Sequence, residues 1–292
     1  MTGSAELLER PNVAELEELA RQTRVAIVKA IYHAGGGHLG GPLSATDMLT
    51  ALYWRVMNIR PEEPNWPDRD RFVLSKGHSS IALYAAMAIR GYFPLDELNT
   101  FDSIGSRLQG HPDMTALPGI DMSSGSLGIG FSGGTGIAFG AHATGAAFQT
   151  YVMIGDGDCT EGIVWEAAHV VARHRLNNIV ASVDHNRLQQ FGWRGEAATD
   201  RLSPYTGNQL ADRWRAFDWE VLEVDGNDIA AFLDVMDSAK RADGPVAVIA
   251  HTVKGKGVSY MENNYPWHSQ VPNAEEYATA LTELGETPGG EA

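Results

Sequence analysis

Two short stretches carry the residues best suited to hold a charged ligand. They are Gly155-Asp156-Gly157 and Asp184-His185-Asn186, with Asp156 and Asn186 standing 30 positions apart. One carboxylate and one amide are hard oxygen ligands, the kind Mg²⁺ takes when it shares its coordination with phosphate oxygens. Glycines on both sides of Asp156 let the backbone come close to a diphosphate. A helix opening just beyond offers its N-terminus to the same anion. The pair predicts a Mg²⁺–diphosphate clamp. A dinucleotide-binding Gly-x-Gly-x-x-Gly is the competing reading, but Thr160 occupies the third glycine's place. A carboxylate between the glycines would also repel a bare pyrophosphate unless a cation intervened.

The clamp needs two strands to present it. Tyr151 to Ile154 and Ile179 to Val183 are short apolar runs that read as buried parallel strands, and Glu161 to Arg175 between them reads as a helix. Both ligands then leave the carboxyl ends of strands in one βαβ unit, where open α/β sheets bind ligands. Upstream, Val13 to Ala34 has a helical pattern that stops at Gly35-Gly36-Gly37. A second helix is expected from Pro42 to about Met57, a strand at Phe72 to Leu74, a loop at 75–78 and a helix over 80–90. Residues 100–124 read as irregular, 125–130 as a second glycine loop and 132–147 as a small-residue helix able to pack closely against a neighbour. Beyond the clamp, 193–210 is loop-rich, followed by a strand at 219–224, a helix at 228–242 and a last buried strand at 246–250. No repeat or linker interrupts the pattern. The reading is one α/β domain over residues 13–280, a parallel sheet flanked by helices, with a flexible lead-in at 1–12 and a flexible tail at 281–292.

Four histidines stand in loops beside glycine, proline or serine: His38, His78, His111 and His268. Such residues can hydrogen-bond phosphate oxygens and move protons near neutral pH, although any one alone could be merely structural. His185 flanks the clamp and reads as a packing residue. Glu161 and Glu166 open the clamp helix, where favourable interaction with the helix dipole competes with a functional carboxylate role. Lys254-Gly255-Lys256-Gly257 could form a phosphate nest, but reads better as a solvated turn.

Bulk properties narrow the partners. The 292 residues carry a net charge of −15, which argues against nucleic acid and anionic membranes. It also works against a phosphorylated substrate unless local cations are supplied. A single cysteine, Cys159, allows no internal disulfide. With no signal pattern or long apolar run, this leads to the expectation of a cytoplasmic protein.

Taken in order, several stretches resemble the transketolases, in the N-terminal half of these thiamine diphosphate (ThDP) enzymes. They are Gly35 to Ser44 (GGGHLGGPLS), Asp70 to His78 (DRFVLSKGH), Gly105 to Pro112 (GSRLQGHP) and Gly125-Ser126-Leu127-Gly128. They continue through Gly155-Asp156-Gly157, Glu161-Gly162, Trp165-Glu166-Ala167, Asp184-His185-Asn186 and Trp267-His268. The resemblance runs from about residue 13 to 280. It implies the ThDP-binding fold of transketolase N-terminal domains, with ThDP and Mg²⁺ (or Ca²⁺ or Mn²⁺) as cofactors. Asp156, Asn186 and the backbone carbonyl of Leu188 would hold the metal, and Gly157 would contact the diphosphate. His78 and His268 would bond the diphosphate and line the substrate channel, while His38 and His111 would face the sugar and assist proton transfer. Gly125 and Leu127 would lie against the organic part of the cofactor, and Glu161 would join a carboxylate network between subunits.

The resemblance also implies what to look for elsewhere. No segment resembles the transketolase portion whose glutamate activates the cofactor and whose arginines bind the sugar phosphate. The expectation is therefore a split transketolase, built from two copies of each chain (α2β2) and inactive when its C-terminal subunit is missing. With its partner it would pass a two-carbon ketol unit from a ketose to an aldose. The alternative is related ketol or acyl transfer to a carrier protein or unusual aldehyde. A non-catalytic, regulatory cofactor-binding chain is a third reading, which the intact clamp disfavours. Three departures from the family pattern stand out: Ile129 in place of glutamine, Gln190-Phe191 in place of an apolar residue and aspartate, and Ser269-Gln270 after His268. Gln190 would then lie beside the cofactor, and together with Ile129 re-tune the pocket.

Overall fold

The computed structural model describes residues 10–189, 205 and 208–287. Five parallel strands form one sheet: β1 (Arg71–Leu74), β2 (Thr150–Gly155), β3 (Ile179–His185), β4 (Glu220–Asp225) and β5 (Val246–His251). Their order is β1-β2-β3-β5-β4. The inner strands are apolar on both faces because both faces are covered. Tyr151, Met153, Val180 and Val248 point into one core, and Val152, Ile154, Ala181 and Ile249 into the other.

Helices α1 (Val13–Ala34), α2 (Gly40–Ala51), α3 (Ser80–Arg90) and α7 (Ile229–Ala239) bury residues in the first core. Helices α4 (Ile129–Thr144), α5 (Gly162–Arg173) and α6 (Gln209–Ala216) close the second. Helix α8 (Ala274–Glu283) packs on α1. The expected fold class holds: a parallel sheet flanked by helices.

Local chemistry explains the boundaries. Asn12 caps α1 through a capping box with Glu15, and Gly35 closes it at φ 66°. Asn12 belongs to the expected flexible lead-in, yet it is fixed by this cap. Helix α2 is buried along its whole length, as expected of a helix crossing beneath a site rather than lying on the surface. It starts two residues before Pro42 and gives way to a π-helical turn over Leu52–Val56. Helix α4 begins at 129 rather than 132, because Gly128 takes the left-handed conformation at its N-cap.

The sequence pattern did not reveal α6 or α8. Both are short, and α6 carries three charged residues among eight, so its apolar side is only Leu210, Ala211 and Trp214. The expected tail at 281–292 begins too early. Leu281 and Leu284 are buried, and Glu286 pairs with Lys29 at 3.0 Å. Among the described residues no helix is long and apolar enough to cross a membrane.

Candidate functional site

Parallel register brings the clamp together. Gly155 at the end of β2 lies beside Asp184 near the end of β3, and His185 lies beside His251 of β5. Asp156 and Asn186, remote in sequence, therefore leave neighbouring strands at the same end of the sheet. They face a cavity of about 390 Å³. Of the residues expected to form a site, the cavity is lined by His38, His78, His111, His268, Gly125, Leu127, Asp156, Gly157, Glu161, Asn186 and Leu188. Gln190 and Phe191 lie outside the described residues. Ile129 is 40% exposed at the start of α4 and is not among the lining residues, so the structure does not bring it to the pocket.

The clamp side chains are held in fixed orientations. Asp156 is buried, and its Oδ2 accepts from the backbone N–H of Arg187 at 2.7 Å and lies 3.2 Å from His185 Nδ1. His185 thus orients the clamp rather than merely packing beside it. Asn186 donates through Nδ2 to Asp184 Oδ2 at 3.2 Å, which turns Oδ1 to the other side. That oxygen accepts from the Leu188 N–H at 3.1 Å. Arg187 between them has φ 65°, a left-handed kink that lets both neighbours face the cavity.

Two buried lysines supply positive charge. Lys76 Nζ pairs with the fully buried Asp184 and donates to the Gly41 carbonyl at 2.9 Å. Asp184 also accepts from Thr252 and from Ser44 Oγ, the latter at 2.7 Å. Burial alone would push Asp184 up, but Lys76, Thr252 and Ser44 outweigh it and hold the carboxyl below its usual range. Lys254, only 1% exposed, donates to the Leu188 carbonyl at 2.7 Å and lies 2.8 Å from His268 Nδ1. Burial lowers it to about 8, so it is mostly charged at pH 7. The expected solvated turn at 254–257 is therefore wrong at its first residue, which points inward. These are the local cations that the acidic composition called for.

Glycines make room for this packing. A Cβ on Gly40 would meet Lys254 Cγ at 2.9 Å, and one on Gly77 would meet the Ser124 and Gly125 backbone at 2.8 Å. Asp158, which the sequence did not single out, ties two loops together by accepting from the N–H groups of Gly155 and Gly128, each at 2.7 Å. Burial raises it to about 6.

The loop histidines come from four separate segments. His38, His78 and His268 form a triangle with ring centroids 5.0–5.2 Å apart. Burial lowers His38 to about 4 and His268 to about 3, and pushes His78 well down, with the neighbouring cations adding to it. All three are neutral at pH 7. Unfolded imidazoles take a proton near 6.5, so between that value and about 4 the unfolded chain binds more protons. The expected result is a stability that is complete above about pH 6.5 and declines as pH falls toward 4. Thermal unfolding of the ligand-free chain across that range checks it; a flat profile would mean that the histidines are solvated.

Residues 16–291 match the family model described as "Transketolase, thiamine diphosphate binding domain". The chain belongs to the transketolase family. A 6-deoxy-6-sulfo-D-fructose transketolase subunit from Clostridium sp. (strain MSTE9) is 40% identical over 271 residues, covering 92% of this chain and 96% of that protein. An apulose-4-phosphate transketolase subunit from Phocaeicola vulgatus is 40% identical over 275 residues, covering 94% and 95%. Among solved structures, the transketolase of Campylobacter jejuni superposes with a TM-score of 0.86 at 28% identity, covering 96% of this chain and 44% of that one. This transketolase-family chain thus matches subunit-sized relatives almost end to end, and that larger transketolase over less than half its length.

Proposed function

We propose that this chain is the ThDP-binding, N-terminal-type subunit of a two-subunit transketolase, working with a separate subunit of the C-terminal type. The observation that carries the reading is the convergence at one end of the sheet of the Asp156–Asn186 pair, three neutral histidines and two buried lysines.

The residues fit the cofactor. Hard oxygen donors stand beside a glycine-bordered anion cradle, which suits a divalent cation shared with a diphosphate. Asp156 and Asn186 would hold Mg²⁺, with Ca²⁺ or Mn²⁺ as substitutes. The Leu188 carbonyl, already accepting from Lys254, has a second lone pair to give. Gly157, His78 and His268 would receive the diphosphate, with Lys76 and Lys254 offsetting its charge. Gly125 and Leu127 would lie against the organic part, and Glu161, at the cavity's edge, would face a neighbouring subunit. Bound ThDP supplies the nucleophilic carbon that carries a two-carbon ketol unit between sugars. His38 and His111 would bond the sugar hydroxyls. A neutral imidazole can take a hydroxyl proton and return it, which an imidazolium cannot.

The names of the two subunit relatives, a sulfofructose and an apulose phosphate transketolase subunit, favour a ketose donor with an anionic end. They also favour a separate partner chain; an assembly of two copies of each is the form we propose for it. A cytoplasmic setting agrees with the lone, buried Cys159.

The test is a ketose-to-aldose transfer assay with ThDP and Mg²⁺, using this chain, its partner and the two mixed. Turnover only in the mixture is expected. Failure of the mixed subunits to bind ThDP in the presence of Mg²⁺ would overturn the reading.

A further inference from the structure

Gln189 is a buried side chain with an unmet hydrogen-bonding need, placed at the clamp. It is 8% exposed, and its Nε2 has no hydrogen-bond partner among the described residues. It lines the same cavity as Asp156 and Gly157. Its Nε2, Cδ and Cγ lie 3.7–3.9 Å from where a Cβ on Gly157 would stand. The amide therefore packs over the bare backbone of the clamp's second glycine.

An amide nitrogen carries two donors and no acceptor. Leaving it dry and unpaired in the interior is costly, so a position that keeps it needs an acceptor from elsewhere. Asp156, whose Oδ2 accepts from the Arg187 N–H and lies beside His185, is not bonded to it. Nor does it reach the Leu188 carbonyl, which accepts from Lys254. An anionic oxygen arriving over Gly157 would provide it.

We propose that Gln189 is a ligand-binding residue whose side-chain amide donates a hydrogen bond to a diphosphate oxygen of ThDP seated over Gly157. The proposal rests on the ThDP reading above and adds to it a donor that neither the motifs nor the clamp geometry assigned. The bond is charge-assisted, between a neutral donor and an anionic acceptor. Such bonds are stronger than neutral pairs.

The experiment compares Gln189→Met, which keeps length and removes the donor, with Gln189→Glu, which turns it into a second anion. Binding of ThDP, and separately of pyrophosphate, is titrated calorimetrically with Mg²⁺ present, on the protein in the assembly in which it is isolated. For Gln189→Met both ligands should bind about 10- to 100-fold more weakly, by the same factor, as expected for one hydrogen bond to a charged group. For Gln189→Glu the loss should be larger. The melting temperature of ligand-free Gln189→Met should be unchanged or higher, because the unmet donor is gone, while its shift on adding ThDP should shrink. A role confined to packing would instead lower the ligand-free melting temperature and leave both affinities alone, which would overturn the proposal. Weakened ThDP binding with unchanged pyrophosphate binding would overturn it too, because the amide would then read another part of the cofactor. If the unaltered protein binds no ThDP, the parent reading fails and not only this residue's part in it.

Discussion

Asp156→Asn should bind ThDP in a metal-dependent manner more than about a hundredfold more weakly than the unaltered chain, while folding to nearly the same stability. Outer-shell partners of metal ligands already alter metal affinity by about 10- to 100-fold, and a charged ligand contributes more. The substitution keeps size and shape. Its amide oxygen can still accept from the Arg187 N–H, where Asp156 Oδ2 now accepts at 2.7 Å, so the kink at 187 keeps its support. What is lost is the negative charge, in a cavity where Lys76 and Lys254 already repel a cation. Calorimetry with ThDP at several Mg²⁺ concentrations, alongside thermal unfolding, separates the two effects. Unchanged metal-dependent binding would remove Asp156 from the clamp. A collapse in ligand-free stability would make its role architectural.

Lys76→Met should destabilise the folded chain by about 3–5 kcal/mol at neutral pH, the usual cost of leaving one member of a buried ion pair alone. Asp184 is fully buried and keeps hydrogen bonds from Ser44, Thr252 and Asn186, but it loses its cation. The pH dependence gives the stronger check. In the unaltered chain Asp184 is held below its usual range. Its stabilising contribution is present above the unfolded carboxyl value of about 3.9 and is lost as pH falls through the lower folded value. Without Lys76, burial dominates and the folded carboxyl moves above about 3.9, so protonation relieves the variant. The stability gap between the two proteins should therefore narrow as pH falls from 7 toward 4. Chemical denaturation at pH 7, 5.5 and 4.5 measures it. A constant gap would show that Lys76 acts through packing and not through its charge. Loss of Lys76 also removes a cation from the cavity, so ThDP binding should weaken in parallel.

The buried lysines show where sequence reading reached its limit. Lys76 stands two residues from His78 in a glycine loop, and Lys254 stands in a Lys-Gly-Lys-Gly turn. Nothing in those neighbourhoods distinguishes an inward lysine from a solvated one. Lys254 is inward because β5 lies next to β3, which sets its Nζ against the Leu188 carbonyl across 66 positions of sequence. Lys76 is inward because β1, β2 and β3 are neighbours and their carboxyl ends meet Asp184 across 108 positions. Asp158 and Gln189 were missed for the same reason. Their meaning lies in which loops they touch, and those loops are remote in sequence.

Helix α8 and the tail make the converse point. Residues 281–292 read as a flexible tail, yet Leu281 and Leu284 are buried with the first core. Local pattern could not reveal that a face of α1 was waiting for them.

By itself the sequence determined the parallel α/β class, the Asp156–Asn186 pair, the four loop histidines and the transketolase family. These are carried by residue types and spacings within single loops and βαβ units, which local sterics and hydrogen bonding dictate. Only the tertiary structure decided that His38, His78 and His268 meet as neutral rings, that Lys76 and Lys254 turn inward, and that the Gln189 amide nitrogen lies over Gly157 with no partner among the described residues. Those outcomes depend on strand order and register, which bring remote chain segments into a water-poor space where burial sets charge and hydrogen-bonding need.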